Sequence, residues 1–240
     1  MNRLTRGIVG PAAVVLALLV QGAASAEVVA DWQMNEGSKP TAMSDSSGNG
    51  LNGNIGDKVM VGIDLGGGNR AYNFPGPSFG YDPGRLVTVP DSSKLDPGTG
   101  AYAVTIRFKT AASEPNIVQK GQSGQSGGYW KLVLHSGWPR CHFRDGAGHT
   151  KAIGFVDGPT SLKANDNTWH VVRCERTSTG VRITMDPGQP DSATKFIRGT
   201  IGNIDNKRPF SIGGKVDCAS ADVGCDYFRG QIDWVRVERP

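Results

Sequence analysis

Apolar and polar residues alternate in many short stretches along this chain of 240 residues. Val104, Ile106 and Phe108 alternate with polar neighbours, and the same period of two recurs around Leu132 and around Ile183. Beyond the N-terminal segment, no apolar pattern of period 3.6 continues for three helical turns. A period of two gives a strand one apolar and one polar face, so the pattern predicts an all-β chain.

Stretches of the same kind predict further strands along the chain. The predicted strands include 28–34, 85–89, 104–109, 116–119, 130–135, 169–175, 181–185, 210–212 and 228–238. Gly, Pro, Asn and Asp separate them, and clusters among the 34 glycines supply the positive φ that tight turns need. Roughly a dozen short strands separated by such turns favour a two-sheet antiparallel β-sandwich.

The N-terminal segment has the pattern of a secretory signal peptide. Two arginines precede an apolar run over residues 8–20, and small residues at 24–26 suit cleavage. The run is shorter than the roughly 20 apolar residues that span a bilayer. We therefore expect a signal peptide over 1–26, a secreted single domain over 27–240, and no membrane insertion after cleavage.

The charge of the chain is nearly balanced. It carries 26 Lys and Arg residues against 22 Asp and Glu residues, and two of the basic residues lie in the predicted signal peptide. So small an excess does not indicate a nucleic acid or an anionic lipid surface as partner.

Four cysteines follow the predicted signal peptide, and they allow three disulfide pairings. Cys141 and Cys174 lie in two strand-like stretches that could be neighbours, whereas Cys218 and Cys225 bracket one short loop. This context favours the pairs Cys141 with Cys174 and Cys218 with Cys225 in an oxidising compartment. A zinc site is the alternative, but no pair has the C-x-x-C spacing that zinc sites favour.

Four segments, taken in order, carry a resemblance to a known family. They are 30–37 together with the DSSGNG turn at 45–50, then 86–110, 167–172 and 228–237. Over nearly the whole predicted mature region, the chain resembles the laminin G-like members of the concanavalin A-like lectin and glucanase superfamily. The resemblance implies a jelly roll in which the first and last strands pair and close the sandwich.

The resemblance also implies a possible structural Ca²⁺ ion near the paired termini. Asp45 matches the aspartate of the family's turn and Asp233 that of its closing strand; Asn49, Asn35 and Glu36 could add oxygen donors. The alternative is that Asp45 only caps a turn and Asp233 faces solvent.

Aromatic residues in loops are the candidates for ligand binding, because sugar rings stack on exposed aromatic faces. Trp138 lies in a predicted hairpin turn beside Arg140, and Tyr81 with Asp82 is the second choice. The other tryptophans lie on alternating strands and are predicted to pack in the core. They are Trp32, Trp130, Trp169 and Trp234.

The sequence favours a non-catalytic recognition or adhesion module that binds a glycan or an extracellular protein. The Glu-x-Asp-x-x-Glu motif of hydrolases on this fold is absent. Tyr129, His142 and Arg144 are the residue types that a polysaccharide lyase uses, so a lyase is one alternative. A purely structural envelope protein is the other.

Overall fold

The computed structural model describes residues 26–37, 40–78, 80–216 and 225–240. Its strands are β1 (Glu27–Trp32), β2 (Ala42–Met43), β3 (Gly53–Ile55), β4 (Met60–Gly66), β5 (Asn69–Pro75), β6 (Val87–Val89), β7 (Tyr102–Lys109), β8 (Asn116–Lys120), β9 (Tyr129–His135), β10 (Trp138–Arg144), β11 (Thr150–Gly154), β12 (Trp169–Arg176), β13 (Gly180–Met185), β14 (Ala193–Arg198), β15 (Phe210–Ile212) and β16 (Arg229–Arg239). Short 3₁₀ turns lie at Pro83–Arg85, Ser93–Leu95 and Thr160–Leu162. The predicted signal peptide lies outside the described residues, apart from Ala26.

The strands form two antiparallel sheets of eight strands each within the described residues. The first sheet has the order β14-β13-β12-β7-β16-β5-β4, with β1 also paired to β16. The second sheet has the order β11-β10-β9-β8-β15-β6-β3-β2. This arrangement confirms the predicted all-β, two-sheet antiparallel jelly-roll sandwich.

The core lies between the sheets because the central strands turn an apolar face inward. Ile106 and Phe108 of β7 are buried on one side, and Trp130 and Leu132 of β9 on the other. Trp32 and Trp130 are fully buried, as predicted. The prediction is wrong for the other two strand tryptophans. Trp169 and Trp234 are only partly buried, since their inward-facing neighbours occupy the core instead.

The closing strand, β16, lies in the interior of the first sheet. Its partner on one side is β7, and on the other side β5 pairs with its first half and β1 with its second half. The predicted pairing of the first and last strands is therefore confirmed, with Asp31 opposite Arg236.

A disulfide joins Cys141 of β10 to Cys174 of β12, with a Cα–Cα distance of 5.7 Å. The predicted bridge is present, but the two strands belong to different sheets rather than lying side by side. The bridge therefore crosses the core, and closing its loop stabilises the fold by about 3.5–4 kcal/mol on the chain-entropy account. Cys218 lies outside the described residues, so its bridge to Cys225 stays a prediction.

Candidate functional site

The carboxylate of Asp45 holds the turn at residues 45–51 against β1. Its Oδ1 accepts the backbone N–H groups of Asp31 at 3.0 Å and Ser47 at 2.9 Å, and its Oδ2 accepts that of Leu51 at 2.9 Å. Burial raises the pKa of Asp45, but these hydrogen bonds outweigh it and the net effect is a lowered pKa. The carboxylate is a turn cap whose oxygens both face hydrogen-bond donors.

Two of the other predicted calcium donors lie against cationic residues. The Lys94 ammonium donates to Oδ1 of Asn49 at 2.5 Å. The backbone N–H of Arg70 donates to Oδ1 of Asn35 at 2.7 Å, and the Arg70 guanidinium donates to the Asn35 carbonyl at 3.1 Å. A cation at either oxygen would have to displace a lysine or an arginine.

The remaining two predicted donors are engaged as well. Glu36 accepts the Ser44 N–H at 2.7 Å and the Tyr72 hydroxyl at 2.5 Å. Asp233 is buried and forms an ion pair with Arg107. Asp233 therefore does not face solvent, contrary to the alternative considered for it.

The five predicted donors do not fit a single calcium site. Ca²⁺ needs six to eight oxygens converging on one point, whereas these oxygens accept separate donors at separate places. Among the residues that the structure describes, no three His, Cys, Asp or Glu side chains are grouped to hold a metal. Hydrogen bonds from backbone N–H groups account for the lowered pKa of Asp45. The carboxylate of buried Asp233 is paired with Arg107, so neither residue requires a metal ion to explain its state.

Asp82, predicted as a ligand residue, is a structural residue in this arrangement. Its side chain caps the 3₁₀ turn by accepting the Gly84 N–H at 3.1 Å. It also pairs with Lys58 at 2.6 Å and Arg85 at 2.8 Å. The hydrogen bond from Lys58 is the largest influence on its pKa, which is lowered.

Tyr81 is exposed, and 45% of its surface is accessible. It lines a shallow cleft together with Asn54 of β3, Thr88 of β6 and Arg208. An exposed ring beside amide, hydroxyl and guanidinium groups has the composition of a sugar subsite.

Trp138 is the first residue of β10, and the hairpin turn consists of Ser136 and Gly137. Both turn residues have positive φ, 51° and 89°, which is the conformation of the tightest hairpins between twisted strands. Trp138 is partly buried, donates its indole N–H to the Pro159 carbonyl at 3.3 Å, and carries the Lys163 ammonium 4.2 Å from its ring centroid. One edge of the ring is thus fixed, and a cation lies over its face.

The two-residue turn fixes which side chains meet on the outer face of β9 and β10. Cys141 and Phe143 of β10 are buried in the core, so Arg140, His142 and Arg144 point outward. Their partners on β9 are Val133, Lys131 and Tyr129, respectively. We call the side chains of Tyr129, Lys131, Trp138, Arg140, His142 and Arg144 the outer cationic face.

Three cationic side chains lie on this face. Lys131, Arg140 and Arg144 form no ion pair with any carboxylate in the described part of the chain, although Asp226 lies near enough to Lys131 to raise its pKa. Burial is nevertheless the largest influence and lowers the pKa of Lys131, with Lys215 and Arg140 acting in the same direction.

His142 is neutral in this surrounding. Burial lowers its pKa to about 4, and the nearby charges of Lys131 and Arg140 act in the same direction. At neutral pH the imidazole can donate one hydrogen bond and accept another, between two cations.

The outer cationic face is one end of a polar row that crosses the second sheet. The row is defined by strand register and runs through Asn54, Thr88, Ser211, Gln119, Lys131 and His142. Its middle is buried: Ser211 and Gln119 are at most 3% exposed, and the Ser211 hydroxyl donates to the Gly214 carbonyl at 2.7 Å. The cationic face and the Tyr81 cleft are the accessible ends.

The structure therefore divides the predicted ligand residues between two places. Trp138 and Arg140 share the outer cationic face, and Tyr81 belongs to the cleft at the far end of the row. Sequence reasoning missed Lys131. The Ser-Gly hairpin that joins the two alternating strands fixes their register, so the sequence did contain a signal that Lys131 pairs with His142.

Comparison with known protein families identifies the family to which this chain belongs. The family described as Laminin G domain matches residues 108–239, more than half of the chain. The chain therefore belongs to the laminin G domain family. A comparison with curated proteins found no match.

Solved structures with a similar fold include toxin binding domains. The Botulinum neurotoxin serotype G binding domain superposes with a TM-score of 0.59 at 13% identity, covering 88% of this chain and 47% of its own. The serotype D ligand binding domain, in complex with N-acetylneuraminic acid, gives 0.57 at 17% identity, covering 88% and 46%. The binding domain of Paraclostridial Mosquitocidal Protein 1 gives 0.57 at 14%, covering 89% and 48%. The chain spans a little under half the length of these domains, and the likeness is one of fold.

No helix in the described part of the chain is both long and apolar enough to cross a membrane.

Proposed function

We propose that this protein is a secreted, non-catalytic recognition module that binds an acidic glycan on the outer cationic face. The observation that carries the proposal is the set of three cations on two adjacent strands, Lys131, Arg140 and Arg144, with no paired carboxylate in the described part of the chain. A protein surface normally mixes charges of both signs, so an unneutralised group of one sign favours an anionic ligand.

The aromatic residues of the same face supply the apolar part of such a site. Tyr129 lies opposite Arg144, and Trp138 lies at the other end of β10. Carboxylate or sulfate groups would pair with the guanidinium groups of Arg140 and Arg144, while sugar rings pack against the aromatic side chains. The ligand of the serotype D domain, N-acetylneuraminic acid, is itself an acidic sugar.

The test is the affinity of the protein for a polyuronate, a sulfated polysaccharide and a neutral glucan, measured by calorimetry at two salt concentrations. We expect binding to the acidic polymers only, and weaker binding at the higher salt because exposed charges are screened. Arg140→Gln/Arg144→Gln should lower the affinity by about 10-fold or more.

The matched control is Lys195→Gln/Arg198→Gln, which removes the same charge from the exposed strand β14 of the first sheet. It should leave the affinity within about 2-fold, since these residues lie on the other sheet. Equal losses in the two variants, or equal binding of the neutral glucan, would contradict the proposal. Absence of binding to all three polymers would favour a structural envelope protein.

A polysaccharide lyase is the second candidate, because Tyr129, His142 and Arg144 do lie on one face. A base works best when its pKa is near the working pH, whereas the pKa of His142 is lowered to about 4. The imidazole is thus neutral but a weak proton acceptor, which favours binding over elimination. Incubation with polyuronate should release no unsaturated products, and a steady release that is lost in His142→Ala would establish the lyase.

We also propose that the protein is exported through the signal peptide of residues 1–26. The disulfide between Cys141 and Cys174 supports this location, because such bridges persist in oxidising compartments. N-terminal sequencing of the exported protein should begin at Glu27; retention of the leader would contradict this.

A further inference from the structure

Lys120 is the last residue of β8, and its side chain is fully buried at one end of the sandwich. Its Nζ lies 2.7 Å from Oδ1 of Asp91 and 2.8 Å from Oδ1 of Asp96. It also lies 2.9 Å from the backbone carbonyl oxygen of Asn206 and 3.5 Å from Oδ1 of the same residue. A buried amine is thus held against both carboxyl and carboxamide groups.

Asp96 has the properties of a buried acid. It is only 3% exposed, and its Oδ1 accepts from Lys120 and from the Asn206 N–H at 3.3 Å. Its Oδ2 is buried without a hydrogen-bond partner in the described part of the chain. Burial raises the pKa of Asp96 more than the contact with Lys120 lowers it. This environment favours a protonated Asp96 carboxyl, because low polarity disfavours a buried charge.

The carboxamide of Asn206 is fixed and polarised. Asn206 is 3% exposed; its Nδ2 donates to the Gly128 carbonyl at 3.1 Å, and its Oδ1 accepts the Arg208 N–H at 3.0 Å. A backbone N–H at the carbonyl oxygen stabilises negative charge that develops there when a nucleophile attacks the carbon. That carbon is one C=O bond, about 1.23 Å, from the oxygen that already contacts Lys120.

We propose that Lys120 and Asn206 form an intramolecular isopeptide bond, with Asp96 as the proton-transfer group. Nζ of Lys120 attacks Cγ of Asn206, the new N–C bond forms, and the bond from Cγ to Nδ2 breaks. The Asp96 carboxyl gives a proton to the departing nitrogen and takes one from the attacking amine, so ammonia leaves and the acid is regenerated. The reaction needs no oxidant or cofactor, since the fold holds the reacting groups together.

Such a bond would join residues that are 86 positions apart in the sequence. Lys120 ends β8 of the second sheet, and Asn206 lies shortly before β15, which pairs with β8. The cross-link would close this end of the sandwich covalently, while the disulfide joins the two sheets elsewhere. An unreacted lysine ammonium would make the same contacts, so a chemical measurement must distinguish the two states.

The test is peptide mapping by mass spectrometry of the folded, full-length product after its disulfides have been reduced. We expect one pair of peptides, containing Lys120 and Asn206, to be joined with the loss of one ammonia. Separate, unmodified peptides would overturn the proposal. A linkage formed with the loss of water to Asp91 or Asp96 would overturn the assignment to Asn206.

Two variants separate the chemistry from the packing. Asp96→Asn removes the proton-transfer group at nearly constant size, and the linked peptides should fall by at least about 10-fold. Asp91→Asn keeps a hydrogen-bond acceptor at the more exposed contact and should retain the link. Both variants are compared only after circular dichroism shows the same sheet content as the parent protein. Equal linkage in Asp96→Asn and the parent would refute the role of Asp96.

Discussion

The outer faces of the two sheets differ in how far their positive side chains are paired with carboxylates. On the first sheet, four arginines of the central strands pair with carboxylates. The pairs are Arg107–Asp233, Arg173–Glu238, Arg182–Glu175 and Arg236–Asp31. On the second sheet, Lys131, Arg140 and Arg144 have no such partners in the described part of the chain. The arginines of the first face are thus paired within the domain, whereas the three cations of the second face are the charges to which we assign the proposed ligand.

Removing the disulfide is expected to have the largest effect, because this bond ties the two sheets together. Cys141→Ala/Cys174→Ala should lower the free energy of unfolding by about 3.5–4 kcal/mol, measured by urea denaturation. The proposed binding face belongs to one sheet, so the affinity of the remaining folded protein for acidic glycans should be retained. A loss of stability below about 1 kcal/mol would mean that the bridge adds little constraint.

The turn cap at Asp45 is the next largest contribution, and it tests whether the edge of the first sheet depends on a metal. Asp45→Ala leaves three backbone N–H groups without their acceptor and should cost about 2 kcal/mol. Because the protein's own donors occupy the carboxylate, the loss should be the same in calcium and in EDTA. A loss that appears only when calcium is present would identify Asp45 as a metal ligand.

Two histidines extend the comparison to pH, since they lie in different sheets and have opposite shifts. Burial and cations lower the pKa of His142 to about 4, so the unfolded state takes up a proton first as the pH falls. Stability is therefore lost between about pH 6.5 and about pH 5, by roughly 1–2 kcal/mol. His142→Gln should remove this loss in unfolding experiments at the two pH values.

His170 should act in the opposite direction. Burial lowers its pKa, but hydrogen bonds with Asp186 at 2.8 Å and Asp166 at 3.1 Å outweigh burial and raise it. Its contribution is fully present below the unfolded-state pKa and is lost as the pH rises through the raised pKa. His170→Gln should therefore cost most in acid. The same loss at all pH values would show that His170 contributes through packing alone.

The smallest expected effects come from single charges on the two outer faces. Asp233→Asn leaves the partly exposed Arg107 without its carboxylate and should cost about 1 kcal/mol of stability. Arg144→Gln removes a charge that has no carboxylate partner among the described residues and should change stability by less than about 0.5 kcal/mol, while weakening the proposed binding of acidic glycans. A larger loss of stability in Arg144→Gln than in Asp233→Asn would mean that the charges of the second face contribute more to the stability of the fold than those of the first.

The sequence predicted strands best where one face of the strand is buried and the other is exposed to solvent. The alternation around Ile106, Leu132 and Ile183 gave β7, β9 and β13 nearly to the residue. The edge strand β14 has no such pattern, because most of its residues are exposed on both faces. β4 and β5 were missed, although the glycines at 66–68 that connect them are one of the glycine clusters from which turns were predicted.

The candidate site was predicted less completely, because residue type alone does not show which partner a side chain already has. Asp45 and Asp82 have the oxygens of ligand residues, but backbone N–H groups and lysine or arginine side chains occupy them. Trp138 and Arg140 were found because an aromatic residue and an arginine next to a hairpin are visible locally. The β9 residues that lie beside them can be identified only when the register in which β9 and β10 pair is known.

The sequence by itself determined the fold class and the inward and outward sides of strands such as β7, β9 and β13. These follow from period-two alternation and local context, which act over a few residues. Only the tertiary structure decided that Asp233 is paired with Arg107 and that Lys120 meets Asn206. Such contacts depend on strand register and on packing between segments far apart in the chain, and no local pattern encodes them.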